Sequence, residues 1–142
     1  MTWKGKRVLV TGAGGVIGSH LVDALAERGA EVTALVRYNS RNDWGMLEEG
    51  YRDGTRGVRV ITGDVTDAGC VGKAVEGNEL VFHLAAQPLV RRSYEEPRLT
   101  VDTNVGGSLN VLEAVRETPG IRALVYITSD KCYLNQEWCW GY

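Results

Sequence analysis

No apolar run in the chain approaches the roughly 18 residues that a membrane span requires, and no block of five or six like charges suggests an interaction tail. Neither sign of charge is in excess. The 16 Lys and Arg residues stand against 18 Asp and Glu residues, a formal net charge of −2. That balance supplies no field to draw nucleic acid or anionic lipid, so neither a nucleic-acid partner nor a membrane is expected. Cysteine is sparse. Cys70, Cys132 and Cys139 are an odd number without CxxC or Cys/His spacing, which predicts free thiols rather than a disulfide framework or a metal site. The segment Met1-Thr2-Trp3-Lys4-Gly5-Lys6 runs straight into a strand pattern instead of an apolar leader, so a cytoplasmic location is expected. What is present is 142 residues, 44% hydrophobic and 24% charged, enough for a single buried core.

Short β-branched runs alternate with longer stretches of helical period. Arg7-Val8-Leu9-Val10-Thr11 reads as a buried strand ended by Gly12. Ile17, Leu21 and Leu25 then recur every four residues beside Val22, an apolar helix stripe stopped by Gly29. Val32–Val36 and Val58–Thr62 are the next strands, separated by a long polar stretch, Tyr38–Gly57. Asp67–Val75 forms a short helix, although Gly69 and Gly72 each cost it about 1 kcal/mol relative to Ala. Leu80–Leu84 is the fourth strand. A second clear helix follows Pro97 with Val101, Val105, Leu109 and Leu112 on one face, and Ala123–Ile127 is the fifth strand. The order is β-α-β-β-α-β-α-β.

Strands without polar alternation need cover on both faces, so the predicted fold is α/β, a doubly wound parallel sheet of Rossmann type that stops after about five strands. Ligands of such sheets bind beyond the carboxyl ends of the strands, where the winding reverses. The loop Thr11-Gly12-Ala13-Gly14-Gly15-Val16-Ile17-Gly18 falls there, between a strand and a helix. Its spacing is GxxGxxG through Gly12, Gly15 and Gly18; position 17 is Ile, so GxGxxG does not fit. Glycines permit the tight turn and let backbone N–H groups approach a pyrophosphate, to which the helix N-terminus adds partial positive charge. An ordinary glycine turn is the alternative; the strand-to-helix context favours a dinucleotide.

This loop resembles that of the short-chain dehydrogenase/reductase superfamily. Phe82-His83-Leu84-Ala85-Ala86-Gln87, Asp102-Thr103-Asn104-Val105-Gly106-Gly107 and Ile127-Thr128-Ser129-Asp130-Lys131-Cys132-Tyr133 are similar to its extended branch, the epimerases and dehydratases of nucleotide sugars. Leu35–Gly45 resembles enzymes acting on UDP- or GDP-sugars. Gln87–Tyr94, Ser129–Tyr133 and Glu137-Trp138 with Trp140-Gly141-Tyr142 are similar to the CDP-glucose-dehydrating branch, whose substrate is therefore favoured. The resemblance implies residues 1–134 as an incomplete dinucleotide-binding domain and residues 135–142 as a tail leading toward a substrate-binding region.

The resemblance also assigns residues. Gly12, Gly15, Val16, Ile17 and Gly18 meet the cofactor's pyrophosphate; Asp64 and Val65 meet the adenine; Leu84, Ala85, Ala86 and Asn104 complete the cofactor set. Asp64 could instead cap the following helix. Arg37 sits at the end of the second strand, where an acid would accept from the ribose of NAD and an Arg can hold the 2′-phosphate of NADP. Either NAD or NADP is open, because Arg37 could also be a solvated surface charge. Gln87, Arg91 and Arg92 are substrate candidates, the two guanidinium groups pairing with a nucleotide-sugar diphosphate. His83 lies inside an apolar strand and reads as a core residue.

In the resembled enzymes Ser129 bonds the sugar C4 oxygen and Asp130 is the general acid for loss of the C6 hydroxyl. Lys131 occupies the place of a base for the C5 proton, a role that needs burial or a neighbouring cation. A solvated turn is the plainer alternative for this cluster. The family also requires a Tyr-x-x-x-Lys pair. Tyr38, Tyr51, Tyr94, Tyr126 and Tyr133 are followed four residues on by Asn42, Thr55, Arg98, Asp130 and Glu137, and Tyr142 is last, so the pair is absent. Two functions follow: part of a dehydratase or epimerase that is inactive alone, or a binding module that never catalyses. The helix around Val101–Val115 is expected to join copies of the chain into a homo-oligomer.

Overall fold

The computed structural model describes residues 2–41, 43–48 and 57–141, so the middle of the polar stretch Tyr38–Gly57 and the last tail residue, Tyr142, lie outside the described residues. In chain order the elements are β1 (Arg7–Thr11), α1 (Val16–Glu27), β2 (Glu31–Arg37), a 3₁₀ turn (Gly45–Leu47), β3 (Val58–Gly63), α2 (Ala68–Val75) and β4 (Leu80–His83). They continue with α3 (Val90–Glu95), α4 (Pro97–Val101), a π turn (Asp102–Gly106), α5 (Gly107–Glu117), β5 (Ala123–Tyr126) and a 3₁₀ turn (Asp130–Cys132). The strands form one parallel sheet in the order β3-β2-β1-β4-β5. Winding therefore reverses between β1 and β4, and the β1 loop opens at that point.

Each strand sends alternate residues to opposite faces, and both faces are apolar. Val8, Val10, Val32, Ala34 and Val36 meet Val22 and Leu25 of α1, with Leu47 from the β2–β3 connection. Leu9, Leu35 and Val81 meet Val71, Ala74 and Val75 of α2 and Val111 of α5. Each fully buried Val contributes about 1.5–3 kcal/mol, which is why these continuous apolar runs settle as central strands. At the amino edge Glu79 joins three strands. Its N–H donates to the Arg7 carbonyl, its carbonyl accepts from Arg122, and its carboxylate takes the Arg7 N–H and pairs with Lys6 at 3.3 Å. The Arg7 N–H and then Lys6 hold this carboxyl below the usual range.

Several expectations change. Ile17 does not belong to the buried stripe of α1: it is 73% exposed, and burial begins at Gly18 and Ser19. Val16, the residue before Ile17, is 60% exposed, so the two residues that open α1 lie outside the core. Asp67, not Asp64, caps α2, its side chain accepting from the Cys70 N–H. The fourth and fifth strands end one residue early, at His83 and Tyr126. The Gln87–Tyr94 segment carries an unexpected helix, α3, and the helix after Pro97 is interrupted by the π turn. Val101, Val105, Leu109 and Leu112 are all exposed, while Gly107, Ser108 and Val111 face the core. A side chain at Gly107 would lie 2.6 Å from Val65, so this glycine lets α5 close onto the loop after β3; Gly106 has open space.

Candidate functional site

The first loop is built around Gly12, whose φ of +68° is a left-handed conformation that costs an L side chain but not glycine. A Cβ there would also lie 2.8 Å from the Ala85 nitrogen, so the bare backbone of the β1 loop rests directly on the β4 loop. Gly15 donates to the Gly12 carbonyl at 3.1 Å and serves as N-cap of α1 with no side-chain cap. The first turn of α1 holds no acid, and Gly15, Val16 and Ile17 are exposed. Backbone donors of that turn thus have no side-chain cap, and the macrodipole favours an anion there. A Cβ at Gly15 would meet nothing closer than the Gly12 carbonyl at 3.4 Å, which leaves the mouth of the turn open. Gly18 is closed: a Cβ there would strike the Gly12 carbonyl oxygen and the Ala13 backbone.

Beneath the turn lies a buried polar chain. The Thr11 hydroxyl accepts from the backbone N–H groups of Leu84 and Ala85, both at 3.2 Å, and sits 2.7 Å from His83 Nδ1. Two donors fill its lone pairs, so its own proton goes to Nδ1 and the ring proton resides on Nε2. Nε2 faces Ser108 Oγ at 3.4 Å. Ser108 donates to the Asn104 carbonyl at 2.6 Å, and the Tyr126 hydroxyl, 2.8 Å away, donates to Ser108. The Tyr126 ring stacks on His83 with centroids 5.2 Å apart. His83 is 1% exposed, and burial holds its pKa below the usual value for histidine. It is a core residue, as its apolar strand suggested, and it is hydrogen-bonded on both nitrogens.

The remaining candidates divide between open and occupied groups. Arg37 stands exposed where β2 ends beside Gly63 of β3. Asp64 Oδ1 accepts from the Thr66 N–H and hydroxyl, both at 2.9 Å, which fixes the carboxylate in the loop after β3. Val65 is buried, and its carbonyl accepts from Asn110. Leu84 and Ala85 are half-buried and Ala86 exposed at the β4 end. Asn104 is committed: its Oδ1 accepts from the Gln87 N–H at 2.7 Å and its Nδ2 donates to the Gln87 carbonyl at 3.1 Å. The π turn swings this residue toward β4, where it holds the loop in place. Gln87 is likewise occupied, accepting from the Leu89 N–H and donating to the Leu89 carbonyl and Thr100. Arg91 and Arg92 lie in α3, paired with Glu95 at 2.8 Å and Glu96 at 3.4 Å.

Ser129, Asp130 and Lys131 come together in the turn after β5. The Ser129 hydroxyl accepts from the Lys131 N–H, and Lys131 Nζ lies 3.1 Å from Asp130 Oδ1. Lys131 holds the Asp130 carboxyl below its ordinary value, which favours the anion over the protonated acid. The Lys131 side chain is 83% exposed and ion-paired, so the burial that a base would need is missing.

Thr11 is the central polar residue of this edge, a role that its place before the first glycine signalled only faintly. Ser108 and Tyr126 carried no sequence signal. Gly14 lies outside the GxxGxxG spacing yet has a packing role: its carbonyl accepts from the Met46 N–H, and a Cβ there would lie 2.7 Å from the Trp44 carbonyl oxygen.

An open glycine turn at the reversal of a parallel sheet, its backbone donors uncapped, is the arrangement of a dinucleotide-binding domain. The family is narrower. The NAD dependent epimerase/dehydratase family matches residues 8–137, and the chain belongs to it. It is 41% identical over 150 residues to the CDP-glucose 4,6-dehydratase of Salmonella typhimurium (strain LT2), covering 99% of this chain and 39% of that protein. To UDP-glucuronate 4-epimerase 1 of Arabidopsis thaliana it is 38% identical, covering 94% of this chain and 32% of that one. Among solved structures, MoeE5 in complex with UDP-glucose and NAD superposes with a TM-score of 0.75 at 32% identity, covering 92% of this chain and 39% of MoeE5. The chain thus spans between about a third and two-fifths of the length of these relatives.

Proposed function

We propose that this chain is the dinucleotide-binding portion of a nucleotide-sugar 4,6-dehydratase or epimerase, with CDP-glucose as the favoured substrate. The open mouth of the glycine turn at Gly15, above uncapped donors of α1, is the observation that carries the reading. Gly12, Gly15, Val16, Ile17 and Gly18 hold the pyrophosphate, Asp64 and Val65 the adenine side, and Leu84, Ala85 and Ala86 the nicotinamide riboside. Asn104 acts behind them by fixing the Gln87 backbone. The bound coenzyme supplies hydride chemistry at the sugar. Ser129 and Asp130 are the residues on the substrate side, and substrate must draw Lys131 away before Asp130 can carry a proton. Without a Tyr-x-x-x-Lys pair these residues bind but do not turn over. The exposed stripe Val101, Val105, Leu109 and Leu112 is the surface through which copies associate.

Calorimetric titration with NAD and NADP tests the reading against Gly15→Asp. The variant's Cβ has room, so its fold persists while its carboxylate repels the pyrophosphate. The expected result is binding of at least one coenzyme by the parent chain, weakened about tenfold or more in the variant. No binding by the parent, or unchanged binding by the variant, overturns the reading.

A further inference from the structure

We propose that the coenzyme site is built for a 2′-phosphorylated dinucleotide, NADP, with Arg37 and Arg41 holding the 2′-phosphate; this rests on the dinucleotide reading above. Residues 37–43 read Arg-Tyr-Asn-Ser-Arg-Asn-Asp, in which Asp43 is the only acid. NAD leaves a free ribose diol that a carboxylate at the end of β2 must accept from, and here that carboxylate is absent. Asp43 is already used: its Oδ1 accepts from the Gly45 N–H at 2.5 Å. Asp64, which follows the Gly63 that pairs with Arg37, spends its Oδ1 on Thr66.

The basic groups, by contrast, are uncommitted. Arg37 and Arg41 are exposed, and among the described residues neither guanidinium has a hydrogen bond or an ion pair. This is unlike Arg91, Arg92, Arg98 and Arg116, each of which has a carboxylate partner. The segment that presents the two free groups is nonetheless fixed. Asn39 Oδ1 accepts from the N–H groups of Arg41 and Asp43, and its Nδ2 donates to the Asp43 carbonyl at 2.7 Å. The arch also begins and ends on the glycine turn. A Cβ at Gly14 would lie 3.7 Å from Val36, the residue before Arg37, and Gly45 packs against the Gly14 carbonyl at its return. Met46 then donates to that same carbonyl at 3.1 Å. An arch bearing two unpaired guanidinium groups and the exposed hydroxyl of Ser40 is thus clamped beside the pyrophosphate turn, the donor set that suits a phosphate monoester.

Calorimetry of the parent chain, Arg37→Asp and Arg41→Ala with NADP, NAD, adenosine 2′,5′-bisphosphate and ADP tests this. Loss of one charge-assisted phosphate contact corresponds to about tenfold in affinity or more. The expected result is that the parent prefers NADP to NAD, and the bisphosphate to ADP, by that factor. Arg37→Asp is expected to erase or invert both preferences while NAD binding is held or improved, and Arg41→Ala to narrow them. Because Arg37 is exposed and its guanidinium makes no hydrogen bond or ion pair among the described residues, circular dichroism of the variant should match the parent. Equal or tighter binding of NAD by the parent, or preferences unmoved by Arg37→Asp, overturns the proposal and leaves the dinucleotide reading standing. Failure of the parent to bind any of the four ligands overturns both.

Discussion

Replacing Thr11 with valine removes one hydroxyl at nearly constant volume, so no cavity forms and the cost isolates the polar chain. Three partners lose their bond: the N–H groups of Leu84 and Ala85, at 3.2 Å each, and His83 Nδ1, at 2.7 Å. His83 is shut away from water, so its nitrogen bears the penalty of an unsatisfied buried group, about 1–3 kcal/mol. The two half-buried amides recruit water and lose about 0.5–1 kcal/mol each. Together the variant should be destabilised by about 2–5 kcal/mol, a large fraction of the roughly 5–15 kcal/mol typical of a domain. Urea unfolding reads this as a midpoint lowered by about 1–2 M at unchanged slope. The nitrogen chemical shifts of His83 should report a proton on Nε2 in the parent and a changed tautomer balance in the variant. A loss below about 0.5 kcal/mol, or a parent imidazole protonated on Nδ1, would refute the reasoning.

The same imidazole predicts a pH dependence. Burial lowers the folded pKa of His83, so the unfolded chain takes up a proton, near the ordinary value of about 6.5, that the folded chain refuses. Stability is therefore complete above that value and is lost as the pH falls below it. The urea midpoint should drop between pH 7 and pH 5, above the range where carboxylates titrate, and a flat profile would count against the neutral buried ring. Gly18→Ala drives a methyl into the Gly12 carbonyl and the Ala13 backbone, an overpacking worth about 1–3 kcal/mol, whereas Gly15→Ala should be nearly neutral. Thermal melts of the pair that moved equally would contradict the packing of the turn.

How much of this was legible depended on whether the signal was local. The strands were readable because their unbroken apolar runs can only be covered on both faces, and β1 and β2 lie where Arg7–Thr11 and Val32–Val36 placed them, to within a residue. Helix α3 was not readable, because it buries no side chain and is held by pairs such as Arg91–Glu95 instead of an apolar stripe. Ile17 fits the helical period, yet periodicity cannot reveal that the two residues opening α1 are exposed. The glycine turn announced itself through spacing. Its supports did not, since Ser108 and Tyr126 reach His83 only through the packing of α5 and β5 on β4. The same holds for Asn104 and Gln87, whose side chains look available in sequence and are spent on the chain's own backbone.

The most direct test is to record the backbone amide spectrum of the isotopically labelled chain while coenzyme is added to millimolar concentration. The account predicts that the largest shifts fall on Gly12, Gly15, Val16, Ile17 and Gly18, with the exposed face of α5 unmoved. Amides of that turn left unshifted, or shifts confined to another surface, would contradict it.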